Sequence, residues 1–140
     1  MNYDALKLEN QLCFPLYACS KEVIKKYKPH LDKIGLTYTQ YITMMVLWAE
    51  KSITIKDLGK RLYLDSGTLT PMLKNMESAG FIIRKRDRND ERVMNIILTE
   101  KGENLKEKAM DIPMKVGQCI NLSQKEVVIL YGLLYKILNR

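Results

Sequence analysis

The sequence has few of the residues that build metal or disulfide sites. Histidine occurs once, as His30, and the three cysteines are Cys13, Cys19 and Cys119. An odd number of cysteines without zinc-type spacing argues against a disulfide scaffold and against a structural metal site. A single histidine argues against a His-based metal centre or a catalytic triad. We therefore expect no metal and no cofactor.

Long hydrophobic runs are also missing. The apolar stretch 41–49 is far shorter than the roughly 20 residues that a membrane-spanning helix needs. No secretory signal is visible, so we expect a cytoplasmic protein without a membrane partner. Basic residues are in excess, with 23 Lys and Arg against 16 Asp and Glu and a formal net charge of +7. This excess favours a polyanionic partner such as nucleic acid.

Apolar spacing in the first quarter of the chain predicts a helix with an early interruption. Pro15 falls inside the pattern, and a proline in a helix interior costs about 3 kcal/mol. We therefore begin the main helix near Cys13 and assign residues 1–12 to a separate short helix or arm. Lys28-Pro29 is predicted to end the regular pattern, because the residue before a proline avoids helical dihedrals.

The middle of the chain predicts a helix-turn-helix followed by a β-wing. Thr54 and Asp65 are N-cap residues for two short amphipathic helices, and Ala79-Gly80 ends the second of them. Two β-rich runs, 81–83 and 93–98, flank a charged segment that suits an exposed hairpin tip. That order is typical of proteins that bind duplex DNA.

Further helices are predicted on both sides of this unit. Residues 38–48 are strongly apolar and predict a buried helix of about three turns. Thr99 opens a helix that ends before Pro113. Ser123 begins a capping box ahead of an apolar helix with heptad-like spacing that continues to Leu138.

The second helix of the helix-turn-helix has the side chains that a major groove accepts. A helix that enters the groove must be thin and carry short polar residues in its N-terminal half. Ser66, Thr68 and Thr70 meet this requirement. Lys74 is long enough to bind a phosphate, and Asn75 is suited to a phosphate or a base edge.

The predicted wing carries five basic residues: Arg84, Lys85, Arg86, Arg88 and Arg92. Arginine in a narrow minor groove reads the groove's width and negative potential. Asp90 lies two residues before Arg92 and is close enough to orient it. A charged run alone is usually a solvated loop, but this one follows a two-helix unit, and the combination predicts double-stranded DNA as the partner.

Four segments of the sequence closely resemble the MarR family of winged-helix repressors: NQLCFPLY, LTYTQYITMMVLW, LYLDSGTLTPMLKNMESAGFIIRKR and DERVMNIILTEKG. More narrowly, they are similar to its organic-hydroperoxide-sensing, cysteine-based branch, over about residues 6–110. The resemblance implies a mainly α fold with a small β-wing in one domain, 1–140. The winged helix-turn-helix would occupy about 36–100, and the dimerisation helices about 1–35 and 101–140.

The resemblance also implies a function. The protein would be a repressor, not an enzyme, that binds a pseudo-palindromic operator as a homodimer. In this branch the cysteine of NQLCF, here Cys13, is the thiol that reacts with an organic hydroperoxide. Two tyrosines of the partner subunit hydrogen-bond it, and the matching positions are Tyr27 and Tyr38. A helix N-terminus and phenol donors stabilise a thiolate, which is the species that attacks a peroxide.

We expect different roles for the other two cysteines, Cys119 and Cys19. In two-cysteine members of this branch, a C-terminal thiol of the other subunit forms a disulfide with the oxidised cysteine, and Cys119 matches that thiol by position only. A small cellular thiol that forms a mixed disulfide is the alternative. Cys19 lies about 240° around the helix from Cys13, so we interpret it as a packing residue.

Two other hypotheses remain at this stage. In the first, the effector is a small hydrophobic or phenolic ligand in the dimer cleft, and the cysteines are structural. In the second, the protein is a thiol peroxidase with Cys13 as its nucleophile, which would require turnover with a reductant. The complete wing, and the absence of an Arg or Thr motif around Cys13, disfavour the peroxidase.

Overall fold

The computed structural model describes residues 1–139. Two short 3₁₀ turns, Asp4–Leu6 and Leu8–Asn10, precede seven helices and three strands within that range. In chain order these are α1 Cys13–Asp32, α2 Tyr38–Glu50, β1 Ser52–Thr54, α3 Ile55–Leu62, α4 Ser66–Ser78, β2 Ile82–Arg86, β3 Met94–Leu98, α5 Glu100–Ala109, α6 Ile112–Gly117 and α7 Gln124–Leu138.

The N-terminal region agrees with the sequence prediction at its start and differs at its end. The 3₁₀ turns confirm the short arm, and α1 begins at Cys13 as predicted. The predicted end at Lys28-Pro29 is wrong, because α1 continues to Asp32. Pro29 removes one backbone hydrogen bond near the helix end, whereas Leu31 behind it is only 2% exposed. Burial of that side chain outweighs the lost bond.

Side-chain caps define the ends of the two central helices. Thr54 Oγ1 accepts the backbone N–H of Asp57 at 3.1 Å and begins α3. Asp65 Oδ1 accepts the backbone N–H of Thr68 at 2.7 Å and begins α4. Beyond the end of α4, Gly80 has φ +86°, a left-handed conformation that glycine adopts without steric cost. These caps confirm the predicted helix-turn-helix.

The sheet has three antiparallel strands in the order β1-β3-β2. Strands β2 and β3 pair from Ile82 opposite Leu98 to Arg86 opposite Met94. The charged tip of the hairpin is therefore residues 87–93. The sequence prediction that Arg84, Lys85 and Arg86 belong to this tip is wrong, because all three lie in strand β2. The apolar run of β2 ends at Ile83, but the backbone pairing with β3 continues to Arg86. It can do so because this part of the hairpin projects from the core, and its backbone hydrogen bonds do not depend on buried side chains. Strand β1, with Ser52 opposite Ile97, is three residues long and too short to show a period.

One hydrophobic core lies beneath α4 and the sheet, and α2 crosses it. Tyr41, Met44 and Leu47 of α2 are buried in it. Trp48 Nε1 donates a buried hydrogen bond of 3.0 Å to the carbonyl oxygen of Gly102 in α5. Gly102 has to be glycine, because a Cβ there would overlap the carbonyl oxygen of Phe81. This close approach fixes α5 against the base of the wing.

The region after the wing contains one unpredicted helix. Helix α5 ends at Ala109, before Pro113, as predicted. Pro113 then lies in the first turn of the short α6, where a proline costs little. The Ser123 side chain accepts the backbone N–H of Glu126, and the Glu126 side chain accepts that of Ser123, so the predicted capping box of α7 is confirmed.

Helices α1 and α7 leave their apolar faces uncovered in the protomer. Helix α7 has no buried residue, and Leu31 is the only buried residue of α1. The exposed apolar side chains of α7 are Val127, Val128, Ile129, Leu130, Tyr131, Leu133, Tyr135, Ile137 and Leu138. Within residues 1–139, no helix combines the length and the apolar character needed to cross a membrane.

Candidate nucleic-acid interface and redox site

Helix α4 has a buried face and a polar exposed face. Its buried residues follow helical spacing and pack towards α3 and β2: Leu69, Leu73 and Met76. Ser66, Thr68, Lys74 and Asn75 are exposed, and Thr70 is half-buried. Four of the five residues predicted to read DNA on this helix are therefore accessible, and Thr70 lies at the edge of the exposed face.

Four of the five predicted wing cations are exposed: Lys85, Arg86, Arg88 and Arg92. Arg86 Nη1 donates to the carbonyl oxygen of Glu91 at 3.3 Å, across the hairpin. Within residues 1–139, Lys85 and Arg88 form neither a side-chain hydrogen bond nor an ion pair in the protomer. Both side chains are thus available to an external anion.

Asp90 and Arg92 form the contact expected between them at the tip. Arg92 Nε donates to Asp90 Oδ1 at 3.0 Å, and Nη2 donates to Oδ2 at 3.2 Å. This two-bond geometry fixes the guanidinium plane. The hydrogen bond from Arg92 also lowers the pKa of Asp90. The Arg92 side chain remains 91% exposed, so it is oriented and accessible at once.

Arg84 differs from the other wing cations, because a carboxylate of α4 holds it. Its Nε donates to Glu77 Oε1 at 3.2 Å, and its backbone N–H donates to Glu77 Oε2 at 2.9 Å. The Arg84 side chain is only 22% exposed. Sequence reasoning missed Glu77. The available signal was an acidic residue in the last turn of a helix, where the helix dipole disfavours negative charge.

Cys13 is the first residue of α1 and is exposed. The preceding residue, Leu12, provides no side-chain cap. The backbone N–H groups of the first helical turn therefore lack a side-chain acceptor and point towards the N-terminal end of the helix. Their partial positive charge favours an anion bound at this end of the helix.

Tyr27 and Tyr38 lie together, and a third tyrosine joins them. The ring centroids of Tyr27 and Tyr38 are 4.9 Å apart, and that of Tyr41 is 5.7 Å from Tyr27. Burial raises the pKa of Tyr27, and burial and the neighbouring Tyr27 raise that of Tyr38. Both phenols are therefore protonated at neutral pH and can donate a hydrogen bond. Sequence reasoning missed Tyr41, although its spacing of three from Tyr38 places both on one helix face.

Cys13 and the tyrosines do not meet within one protomer. Tyr27 follows Cys13 by 14 residues on the same helix, which at 1.5 Å per residue separates their backbones by about 21 Å. Tyr38 packs against Tyr27 and is therefore also far from Cys13. A hydrogen bond between this thiol and these phenols requires a second copy of the chain.

The remaining cysteines occupy two separate places. Cys119 is exposed just beyond α6, and its Sγ donates to the carbonyl oxygen of Lys115 at 3.6 Å. Cys19 lines a groove of about 620 Å³ between α1 and α7, which also includes Leu16 and Leu134. No three His, Cys, Asp or Glu side chains within residues 1–139 are grouped as a metal site.

Residues 25–109 match the family described as transcriptional regulator SarA/Rot. This chain belongs to that family. It is 52% identical over 137 residues to the organic hydroperoxide resistance transcriptional regulator of Bacillus subtilis, covering 98% of this chain and 93% of that protein. It is also 46% identical over 119 residues to the regulator SarZ of Staphylococcus epidermidis, covering 85% and 80%. The resemblance to the hydroperoxide-sensing branch of MarR-type regulators is confirmed.

Solved structures of AbfR from Staphylococcus epidermidis have the same fold as this chain. Reduced AbfR bound to DNA has a TM-score of 0.80 at 34% identity, covering 99% of this chain and 97% of that chain. The disulfide form of AbfR has a TM-score of 0.67 at 33% identity, covering 98% and 96%. Overoxidised AbfR bound to DNA gives 0.75 at 34% identity, with full coverage of both chains. The predicted winged-helix fold class is confirmed.

Proposed function

We propose that this SarA/Rot family member is a redox-switched DNA-binding repressor. It binds a pseudo-palindromic operator as a homodimer and is released when an organic hydroperoxide oxidises Cys13. A disulfide between Cys13 of one subunit and Cys119 of the other completes the switch. The observation that carries the proposal is an exposed Cys13 at the uncapped start of α1, in a chain 52% identical to an organic hydroperoxide resistance regulator.

Homodimerisation is supported by the uncovered faces of α1 and α7. Contiguous exposed apolar surface of this kind marks an interface. A two-fold dimer is self-complementary, so any contact of one subunit is repeated in reverse by the other. If α1 of one subunit lies alongside that of the other in the opposite direction, Cys13 reaches Tyr27 and Tyr38 of the second subunit. The hydrogen bond between the thiol and the phenols can then form between subunits, although about 21 Å separate these residues within one chain.

DNA binding is supported by the two accessible elements of each protomer. In a two-fold dimer, two copies of α4 enter successive major grooves, about 34 Å apart along the duplex. Ser66, Thr68 and Asn75 face the bases, and Lys74 faces a phosphate. The wing cations Lys85, Arg86, Arg88 and Arg92 reach the flanking minor groove. Reduced AbfR, which shares the fold, was solved on DNA.

The sensing step is a two-electron oxidation of sulfur. The Cys13 thiolate attacks one peroxide oxygen, so that an S–O bond forms and the O–O bond breaks. The second oxygen leaves with a proton as an alcohol, and Cys13 becomes a sulfenic acid. The thiolate of Cys119 from the other subunit then attacks that sulfur. The S–S bond forms, and the sulfenic oxygen leaves with a proton as water.

The disulfide, more than the oxidised thiol, is proposed to release the DNA. A disulfide requires the two Cα atoms to lie within about 7 Å, and this constraint moves dimer helices relative to each other. AbfR has been solved on DNA in its overoxidised state, and its disulfide form has been solved separately.

The test measures operator affinity and covalent state in the same samples. A duplex selected by the reduced protein is titrated before and after one equivalent of cumene hydroperoxide, and each sample is run on a non-reducing gel. We expect affinity to fall by about 10- to 100-fold, with a dimer-sized covalent band. Cys13→Ser should bind DNA normally and ignore the peroxide. Cys119→Ser should form no covalent dimer, and Cys19→Ser is the matched control that should respond like the wild type.

Two outcomes would contradict the proposal. Unchanged affinity of protein in which Cys13 and Cys119 are fully joined as the intersubunit disulfide would exclude the redox switch. Repeated consumption of peroxide with dithiothreitol, faster than free thiol alone consumes it, would instead indicate a peroxidase.

A second candidate is a repressor released by a small hydrophobic or phenolic ligand. It is favoured by an apolar cavity of about 420 Å³ between α2 and α5, lined in part by Met45, Trp48 and Met110. In this case Cys13→Ser protein would lose operator affinity on addition of a phenolic compound, and the wild type would not respond to peroxide.

A further inference from the structure

Helix α4 ends with an acidic residue at an electrostatically unfavourable place. Glu77 is the next-to-last residue of the helix, and the last turn contains no basic residue. The free carbonyl groups at a helix C-terminus carry partial negative charge, so a carboxylate there is destabilising unless a cation accompanies it. Glu77 therefore needs a partner outside its own helix.

Arg84 is that partner, and it binds through three points. Glu77 Oε2 accepts the Arg84 backbone N–H at 2.9 Å. Glu77 Oε1 accepts Nε at 3.2 Å and lies 3.2 Å from Nη2. The backbone hydrogen bond is also the main cause of the lowered pKa of Glu77. One carboxylate thus holds both the main chain and the side chain of the third residue of β2.

The contact lies where the wing joins the recognition helix. Arg84 is paired with Ile96 of β3, which is fully buried, so this rung of the hairpin is anchored in the core. The exposed tip begins just beyond it. Arg86, the last residue of β2, follows Arg84 by two residues, which in extended chain is about 7 Å, and Arg88 lies beyond it in the tip. A small rotation of β2 at Arg84 is therefore amplified at the cations of the tip.

This inference rests on the proposed DNA binding. We infer that Glu77 and Arg84 form a positioning clamp that sets the wing relative to α4, and that Arg84 itself does not bind DNA. The proposal reassigns Arg84, which sequence reasoning grouped with the DNA-binding cations. Lys85 and Arg88, which the carboxylate does not hold, carry the direct electrostatic attraction in this region.

The Glu77→Gln substitution distinguishes a positioning role of Glu77 from a purely electrostatic one, because the two roles predict opposite changes in DNA affinity. If only charge matters near the phosphates, Glu77→Gln should tighten DNA binding, because it removes a repulsive carboxylate. If the clamp positions the wing, Glu77→Gln should weaken binding, by about fivefold. Arg84→Gln should weaken it by a similar factor, and the double variant by no more than either single one, since both break one contact.

The salt dependence of DNA affinity is a second measurement. It changes when a residue that contacts phosphate is removed, but not when a residue that only positions the wing is replaced. Each phosphate contact contributes about 0.9 to the slope of log affinity against log salt. Arg88→Gln, the matched control, should lower the magnitude of the slope by about 1.8 per dimer, because it removes two contacts. Glu77→Gln and Arg84→Gln should leave the slope at the wild-type value. Arg84→Lys keeps the charge but loses the fork geometry, so it should resemble Arg84→Gln.

The experiment uses fluorescence anisotropy with a duplex selected by the reduced wild-type protein, after circular dichroism has shown that each variant is folded. A hydroxyl-radical footprint should show protection at the operator flanks that is displaced in position but of wild-type extent in Glu77→Gln, and intact protection at the two central major grooves. Tighter binding by Glu77→Gln, full rescue by Arg84→Lys, or a slope change in Arg84→Gln equal to that of Arg88→Gln would overturn the clamp. If the wild type selects no duplex at all, DNA binding itself is refuted and the clamp with it.

Discussion

Tyr41 is buried at 1% exposure, and its hydroxyl has no hydrogen-bond partner within residues 1–139. An unpaired buried hydroxyl costs free energy, so the Tyr41 hydroxyl lowers the stability of the folded protomer. The ring compensates through its contacts with Tyr27 and Tyr38, with centroids 5.7 and 6.3 Å away. Tyr41 thus supports the two tyrosines that we propose as donors to Cys13 of the other subunit.

This environment predicts a loss of stability at alkaline pH. Burial, and then the neighbouring Tyr27 and Tyr38, raise the pKa of Tyr41 to about 12, whereas an unfolded tyrosine ionises near pH 10. The stabilising effect of the neutral phenol is complete below pH 10 and is lost as pH rises through 12. Urea unfolding should therefore show a fall in the free energy of unfolding on the order of 2 kcal/mol over that interval.

Tyr41→Phe isolates this effect. It should be at least as stable as the wild type at pH 7, because the unpaired hydroxyl is gone, and it should lose less stability between pH 10 and 12. Tyr63→Phe, at an exposed position, is the control and should follow the wild-type pH profile. A Tyr41→Phe profile as steep as the wild type would refute this account of the tyrosine cluster.

Among the elements, α3, α4 and α7 could be predicted from local signals, because their first residues are fixed by adjacent side chains. Thr54, Asp65 and Ser123 each accept a backbone N–H three residues ahead, and that spacing is visible in the sequence. The end of α1 could not be predicted in this way. Its last turn depends on the burial of Leu31 against residues distant in sequence, which overrides the local effect of Pro29.

The contact of α5 with the base of the wing predicts the effect of one substitution. In Gly102→Ala the new methyl group would overlap the carbonyl oxygen of Phe81 and lie 2.8 Å from Leu98 Cδ1. Overpacking of this kind should lower the free energy of unfolding by about 2 kcal/mol, even though alanine favours a helix. Thermal denaturation measures the change. Gly117→Ala, with no atom within 4 Å of its added Cβ, is the control and should be neutral or slightly stabilising; equal stability of both variants would contradict the packing described for α5.

For the whole molecule, the sequence indicated candidate residues but not where they meet. The roles of Cys13, Tyr27 and Tyr38 stay predictions, and the structure shows that the two tyrosines are in contact with each other. Single-chain reasoning could not join the two parts, because α1 separates them by about 21 Å. It also grouped Arg84 with the free cations, because Glu77 lies in α4 and Arg84 in β2, and no single helical or strand period relates residues on two different elements. Both gaps concern contacts between elements or between chains, which local spacing does not encode.

The most direct test of the redox switch asks whether its disulfide joins two subunits. Cys13→Ser and Cys119→Ser chains are co-expressed, treated with cumene hydroperoxide as dilute reduced protein, and separated on a non-reducing gel, with each variant alone as a control. Only a mixed dimer contains Cys13 on one subunit and Cys119 on the other. We predict a covalent dimer band in the mixture, no such band in either variant alone, and release of the operator by the cross-linked mixture. Absence of the band in the mixture, with Cys13 of the Cys119→Ser chain oxidised and a covalent band present in wild-type protein, would contradict the proposed switch.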